Sequence, residues 1–202
     1  MQDLTEGAQR FRRHVVSARA GRYERLATTH RPTALFIGCS DARVVPELIT
    51  QREPGELFVI RTAGNLVPRY AGADGAVTGD GGVAASVEYA VAVLGVTDIV
   101  VCGHSGCGAM TALAEAHDLT ALPAVAGWLR HAAAARREAV TVAALVRENV
   151  RAQLAHLATH PAVTDALARG ALALHGWVYD IATGDIDRLD PSSGEFIPLA
   201  AD

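Results

Sequence analysis

Four short apolar runs recur along the chain: "TALFIG" at 33–38, "ELFVIR" at 56–61, "TDIVVCG" at 97–103 and "ALALHGWVYDI" at 171–181. Each is shorter than an ordinary helix and largely continuous, which is the pattern of a strand buried on both faces. Helical patterns separate them, at 79–94, at 106–117 and in two alanine-rich segments within 122–158. Strands that alternate with helices give an α/β fold: a mostly parallel central sheet of four strands, flanked by helices. The run "EFIPL" at 195–199 can add an edge strand. Ahead of the first run, Leu4, Ala8, Phe11, Val15 and Ala18 recur at helical spacing, so residues 3–27 are expected to form an amphipathic helix. Residues 1–30 then make an N-terminal helical arm on a single domain spanning 1–202.

Composition narrows the function classes. At 202 residues, 50% hydrophobic and 20% charged, the chain suits one domain with a sizeable core. The best candidate for a membrane span, "VAASVEYAVAVLGV", carries Glu88, so no membrane segment is expected. The start, "MQDLTEGAQRF", has no apolar core of a secretory signal, and three cysteines are too few for a disulfide scaffold. Both features point to the cytoplasm. A net charge of −4 gives no global reason to expect a nucleic-acid partner. Six arginines between Arg10 and Arg25 could form an interaction arm, but on charge alone a solvated helix face is the more ordinary account of them. The glycine-rich segment 72–82 lacks the Lys-Ser/Thr ending of a phosphate loop and reads as a surface loop.

The chemistry concentrates at two strand ends. Ligands of open α/β sheets sit beyond the carboxyl ends of the strands. Cys39 follows "TALFIG" at one such end, and His104 and Cys107 follow "DIVVCG" at another. If the two strands are neighbours, two thiolates and an imidazole converge. That donor set suits zinc, and three protein ligands leave a fourth tetrahedral position free. Neither loop offers a fourth Cys or His, and Cys102, inside the apolar run, reads as a buried strand residue. Asp41 lies two residues past Cys39, close enough to reach the metal or a molecule on it. Arg43 can hold a carboxylate through two parallel hydrogen bonds. An isolated D-x-R would be a turn cap and a surface arginine; beside a metal ligand, an anchored carboxylate has chemical use.

"CSDARV" followed by "HSGCG" resembles the β-class carbonic anhydrases, whose signatures are C-x-D-x-R and H-x-x-C. The resemblance runs from about residue 30 to the end and takes in "EPGELFVIRTAGN", "SVEYAV" and "LHGWVYDIATG". It implies one zinc ion per subunit on Cys39, His104 and Cys107, with Asp41 and Arg43 as the catalytic pair. It also implies reversible hydration of carbon dioxide to bicarbonate and a proton by hydroxide on zinc. Members of the family can close the site by turning the aspartate onto the metal, which makes Asp41 a conditional fourth ligand. Plant-like members line the pocket with phenylalanine, tyrosine and glutamine; Phe58 and Tyr89 match the first two, and His30 stands where the glutamine would be. A histidine there can donate a hydrogen bond or relay a proton. Another branch builds an inhibitory bicarbonate site on a tryptophan three residues before the first cysteine, where this chain has Phe36. The other histidines (His14, His117, His131, His156, His160 and His175) read as surface or packing residues.

The family also implies a homodimer or a higher even oligomer, with Phe58 and Tyr89 reaching a neighbour's zinc. Two alternatives stand beside this reading. One is hydrolysis of carbon disulfide or carbonyl sulfide on the same zinc site. The other is a non-catalytic zinc module used for assembly, which would need neither Asp41 nor Arg43.

Overall fold

The four apolar runs pair side by side. In the computed structural model they become β1 (Ala34–Cys39), β2 (Leu57–Thr62), β3 (Asp98–His104) and β4 (Ala173–Tyr179). The structure describes residues 1–72, 81–133, 135 and 141–199. Two further strands, β5 (Ile186–Leu189) and β6 (Phe196–Pro198), complete a six-stranded sheet in the order β2-β1-β3-β4-β5-β6. The first four strands are parallel, and β5 and β6 join antiparallel. The sequence "EFIPL" thus supplies the expected edge strand. "IDRL", with only two apolar residues, is the strand that a search for apolar runs passes over.

Short connections explain the antiparallel end. Asp180 accepts hydrogen bonds from the amides of Ala182 and Thr183, and Gly184 closes the turn at φ 84°. Ten residues later Asp190 repeats the device with Ser192 and Ser193, and Gly194 takes φ 73°. An aspartate whose side chain holds the next amides, followed by a glycine in the left-handed region, is a compact way to reverse a strand.

Helices fill the crossovers. They are α3 (Pro46–Ile49), α4 (Gly81–Glu88, continued by a wider π turn over Tyr89–Val93), α5 (Gly108–Ala114) and α6 (Pro123–Leu129). Then follow α7 (Val142–Leu157) and α8 (Pro161–Ala168). Most of the glycine-rich segment, residues 73–80, lies outside the described residues, as does the start of the helix expected from residue 79.

Alternation along the strands divides the core. Leu35, Ile37, Ile99 and Val101 pack with Val150 and Leu157 of α7. Phe36, Val100 and Cys102 face the other way, with Trp177 edge-on to Phe36 at 6.3 Å. Cys102 is fully buried there, and burial pushes its thiol up to about 12, so it behaves as a packing residue. His156 and His160 are also buried; they bond the carbonyls of Val67 and Pro68 and tie the stretch after β2 to the α7–α8 corner. Burial holds both imidazoles below their ordinary pKa.

The chain separates into two units, Met1–Arg31 and Pro32–Asp202. The first is the arm. Its helix is not continuous over 3–27: α1 (Gln2–Arg10) widens into a π turn at Phe11–Val16, and α2 (Ala20–Leu26) begins after Arg19 leaves helical geometry at φ −127°. The π turn takes in Val15 and Val16, residues of modest helix propensity, and Ser17 Oγ donates five residues back to the Arg12 carbonyl. Phe11 and Tyr23 meet edge to face at 5.8 Å across the break.

The seat of α7 on the sheet depends on two glycines. A Cβ at Gly103 would lie 2.9 Å from Val146 Cγ1, and one at Gly176 would lie 2.9 Å from Val150 Cγ1 and 3.0 Å from Leu154 Cδ1. Branched side chains in a packed core cannot yield that space cheaply. Gly176→Ala should therefore destabilise the protein by about 1–3 kcal/mol, read as a lower urea midpoint at unchanged slope. An unaltered midpoint would mean that α7 does not rest on β4 as described.

Candidate metal centre

β1 and β3 are adjacent and parallel, with Gly38 opposite Cys102, so both strands end at the same level. Cys39 is the last residue of β1 and His104 the last of β3. Gly106 turns the chain at φ 61°, and Cys107 caps the start of α5. The two sulfurs and an imidazole nitrogen come within 4.8 Å of one another, and all three residues are buried. Among the described residues they are the group of three or more Cys, His, Asp or Glu side chains arranged to hold a metal ion.

The donor set fits such an ion. His104 Nδ1 lies 3.0 Å from the carbonyl oxygen of Ser105. A carbonyl only accepts, so Nδ1 carries the proton and Nε2 presents its lone pair. That Nε2 is fully buried and has no hydrogen-bond partner, a costly arrangement unless something else takes the lone pair. The sulfurs interact directly. Cys39 is pulled down to about 4, first because the Cys107 thiol hydrogen-bonds to its sulfur, against the opposing effect of burial. The same bond, with burial, pushes Cys107 up. A cation of borderline softness satisfies both sulfurs and the imidazole together.

Asp41 is turned onto Arg43. Arg43 Nε donates to Oδ1 at 2.9 Å and Nη2 donates to Oδ2 at 2.7 Å, while the Arg43 amide adds a third bond at 3.0 Å. These bonds hold the Asp41 carboxyl well below the usual carboxylate range. Arg43 also reaches across to the Gly106 carbonyl at 3.2 Å, linking the two loops. Oδ2 of Asp41 is 3.9 Å from His104 Nε2. Asp41 thus stands at the edge of the centre, while Cys39, His104 and Cys107 form it.

The remaining candidates of the unit Pro32–Asp202 lie elsewhere. Phe58 and Tyr89 face each other with ring centroids 6.0 Å apart, and Phe58 packs on the cluster of Leu35 and Ile37, not on that of Cys39 and Cys107. His30 is exposed at the end of the arm unit. His117 pairs with Glu115 and His175 with Asp98, each on the surface.

Several residues at the centre were not evident from the motifs. Arg61 at the end of β2 donates to the Cys39 carbonyl at 3.1 Å and to the Asp41 carbonyl at 2.7 Å, fixing the turn between them. The Gly64 amide donates to Cys39 Sγ at 3.3 Å. Ser105 is tied to β4 through the Tyr179 carbonyl and the Ile181 amide. A charged residue closing a buried run, as Arg61 closes "ELFVIR", is the one signal in the sequence that pointed to any of these.

Comparison with known proteins agrees with this geometry. A family model described as carbonic anhydrase matches residues 34–186. A carbonic anhydrase of Pseudomonas aeruginosa is 59% identical over 99% of this chain and 92% of its own length. The β-carbonic anhydrase CcaA superposes with a TM-score of 0.89 at 42% identity, covering 98% of each chain. The chain belongs to the β-class carbonic anhydrases. Within that family, carbonic anhydrase 1 of Escherichia coli O157:H7 is 53% identical over 100% of this chain and 93% of its own. A β-carbonic anhydrase of Sordaria macrospora, described as tetrameric, matches with a TM-score of 0.82 at 27% identity over 98% of each chain.

For a β-class carbonic anhydrase with this centre, Cys107→Ser should stay folded, with an unaltered far-ultraviolet circular dichroism spectrum, and should purify with little metal. Elemental analysis of wild type should give one metal ion per chain. Full occupancy in the variant would remove Cys107 from the ligand set.

Proposed function

We propose that the chain hydrates carbon dioxide with a zinc ion held by Cys39, His104 and Cys107, and that Asp41 and Arg43 act on the reacting water. The observation that carries this reading is the buried, unpartnered Nε2 of His104 within 4.8 Å of two cysteine sulfurs. The chemistry such an ion supplies is Lewis acidity, which lets a water ionise near neutral pH.

The chain's own groups supply the rest. Asp41, ionised by its bonds to Arg43, can only accept hydrogen bonds. It would therefore accept a hydrogen bond from the attacking water and so turn an oxygen lone pair toward the substrate. Arg43 fixes the carboxylate's plane through two parallel bonds, and its third contact, to Gly106, keeps both metal loops in register with it. Ligation by Asp41 itself would require giving up the Arg43 bonds. The favoured state of this arrangement is thus an open one, with the carboxylate beside the centre. The three thiols without disulfides suit a reducing compartment, consistent with the cytoplasm.

The pocket is completed by a second subunit in this reading. Phe58 pairs with Leu35, four residues before Cys39 along β1, which places it about 13 Å down the sheet from the metal end. It is too far back to line its own centre. Tyr89, next to it, is 46% exposed, and Val93 on the same helical stretch is 65% exposed. Apolar groups left open beside a pocket residue suit a two-fold contact that brings Phe58 and Tyr89 to the neighbour's zinc. The minimal active unit is then a homodimer, with an interface of roughly 2,000 Å² or more.

Stopped-flow measurement of carbon dioxide hydration should give zinc-dependent turnover, lost on chelation and regained with zinc. Turnover unaffected by complete metal removal would overturn the zinc assignment. The shared pocket makes a separate prediction. Cys39→Ser and Tyr89→Ala chains, each weak alone, should regain activity when mixed, because mixed dimers contain one site with both parts intact. No recovery after verified subunit exchange would contradict it.

A further inference from the structure

Two thiolates donate so much charge to one ion that they work against its acidity, and the structure contains a device acting on one of them. The Gly64 amide, 3.3 Å from Cys39 Sγ, draws electron density from that sulfur. Its aim depends on two peptide planes. A peptide unit is planar, so its N–H and C=O point in fixed opposite directions. The plane that carries the Gly64 N–H has the Ala63 carbonyl at its other end, and Trp128 Nε1 donates to that oxygen at 2.9 Å. In the next plane, the Gly64 carbonyl accepts from Asn149 Nδ2 at 3.0 Å.

Asn149 is held in turn. Gln153, one turn further along α7, donates to Asn149 Oδ1 at 2.9 Å and to the His131 carbonyl at 3.2 Å. Its own oxygen accepts from the Val67 amide at 2.8 Å. Asn149 is 1% exposed and Gln153 is fully buried. Two buried amides with such a complete set of partners are costly to place in a core and geometrically exacting once there. The turn itself tolerates no side chain at Gly64: φ is 72°, and a Cβ would lie 3.0 Å from Ala109 Cβ and 3.1 Å from Met110 Cε. Neighbours on both sides therefore fix the amide against Cys39.

We propose that Trp128, Asn149 and Gln153 are positioning residues that hold the Gly64 amide on Cys39 and so limit how strongly that sulfur donates to the metal. The proposal rests on the metal reading above and adds how the chain adjusts the same centre. A purely structural role for these side chains would affect stability and leave the sulfur's electronic state alone.

The cobalt(II)-substituted enzyme separates the two roles, because its near-ultraviolet thiolate-to-metal charge-transfer band reports on the sulfurs. Trp128→Phe removes the indole donor while keeping an aromatic ring. Asn149→Ser removes the reach to Gly64 and leaves space for a water. Both should move the band to longer wavelength, since a sulfur relieved of its hydrogen bond gives up an electron more easily. Leu157→Ala, a cavity in α7 within the Leu35 cluster, should lower the melting temperature and leave the band in place. A band at the wild-type position in both variants, or the same displacement in Leu157→Ala, would overturn the proposal. A wild-type cobalt protein with no thiolate band would overturn the metal reading itself.

Discussion

The parallel pairing of β1 with β3 is the constraint from which the rest follows. Because the register sets Gly38 opposite Cys102, the last residues of the two strands emerge side by side at one edge of the sheet. This is where the chain's connections part, β1 leading to β2 on one side and pairing with β3 on the other, the crevice that open α/β sheets use for ligands. Cys39 then stands level with Gly103, one residue short of His104, and a slip of one residue would change that spacing. Glycines guard the pairing from behind, since α7 can lie close enough to seal β3 and β4 only where Gly103 and Gly176 carry no side chain.

What the strands bring together is a donor set that a single cation would satisfy. The two sulfurs press on each other's ionisation in opposite senses, and an imidazole lone pair sits among buried groups with nothing to accept it. The surroundings are neatly divided between the two loops. Arg61 and the Gly64 turn govern the Cys39 side, while Ser105 and its links to β4 govern the His104 side. Arg43 is the bridge, joining Asp41 on the first loop to Gly106 on the second. A single guanidinium thus ties the orientation of the carboxylate to the spacing of the ligands.

Much of this was legible in the residues. Continuous apolar runs identify the parallel strands because burial on both faces leaves no polar alternation, and the candidate ligands stand at the ends of two such runs. The pairing of Asp41 with Arg43 beside Cys39 could be expected from their spacing. Other features could not. "IDRL" forms a strand through its neighbours and its turns, although the recurring aspartate-to-glycine turns at 180–184 and 190–194 were a usable hairpin signal. The break in the arm at Arg19 leaves no mark in the hydrophobic period. Asn149 and Gln153 are invisible in a sequence, since a polar residue on an amphipathic helix reads as solvent-facing. Only the fold places them under the Gly64 turn, more than eighty residues away along the chain.

The central claim is that Cys39, His104 and Cys107, and no other cysteine, surround the metal. X-ray absorption at the zinc edge on the purified enzyme tests it directly. The account predicts a shell of two sulfurs at about 2.3 Å and one imidazole nitrogen at about 2.0–2.1 Å, completed by one light atom. A shell with three sulfurs, which would bring in Cys102, or one with no sulfur at all, would contradict it.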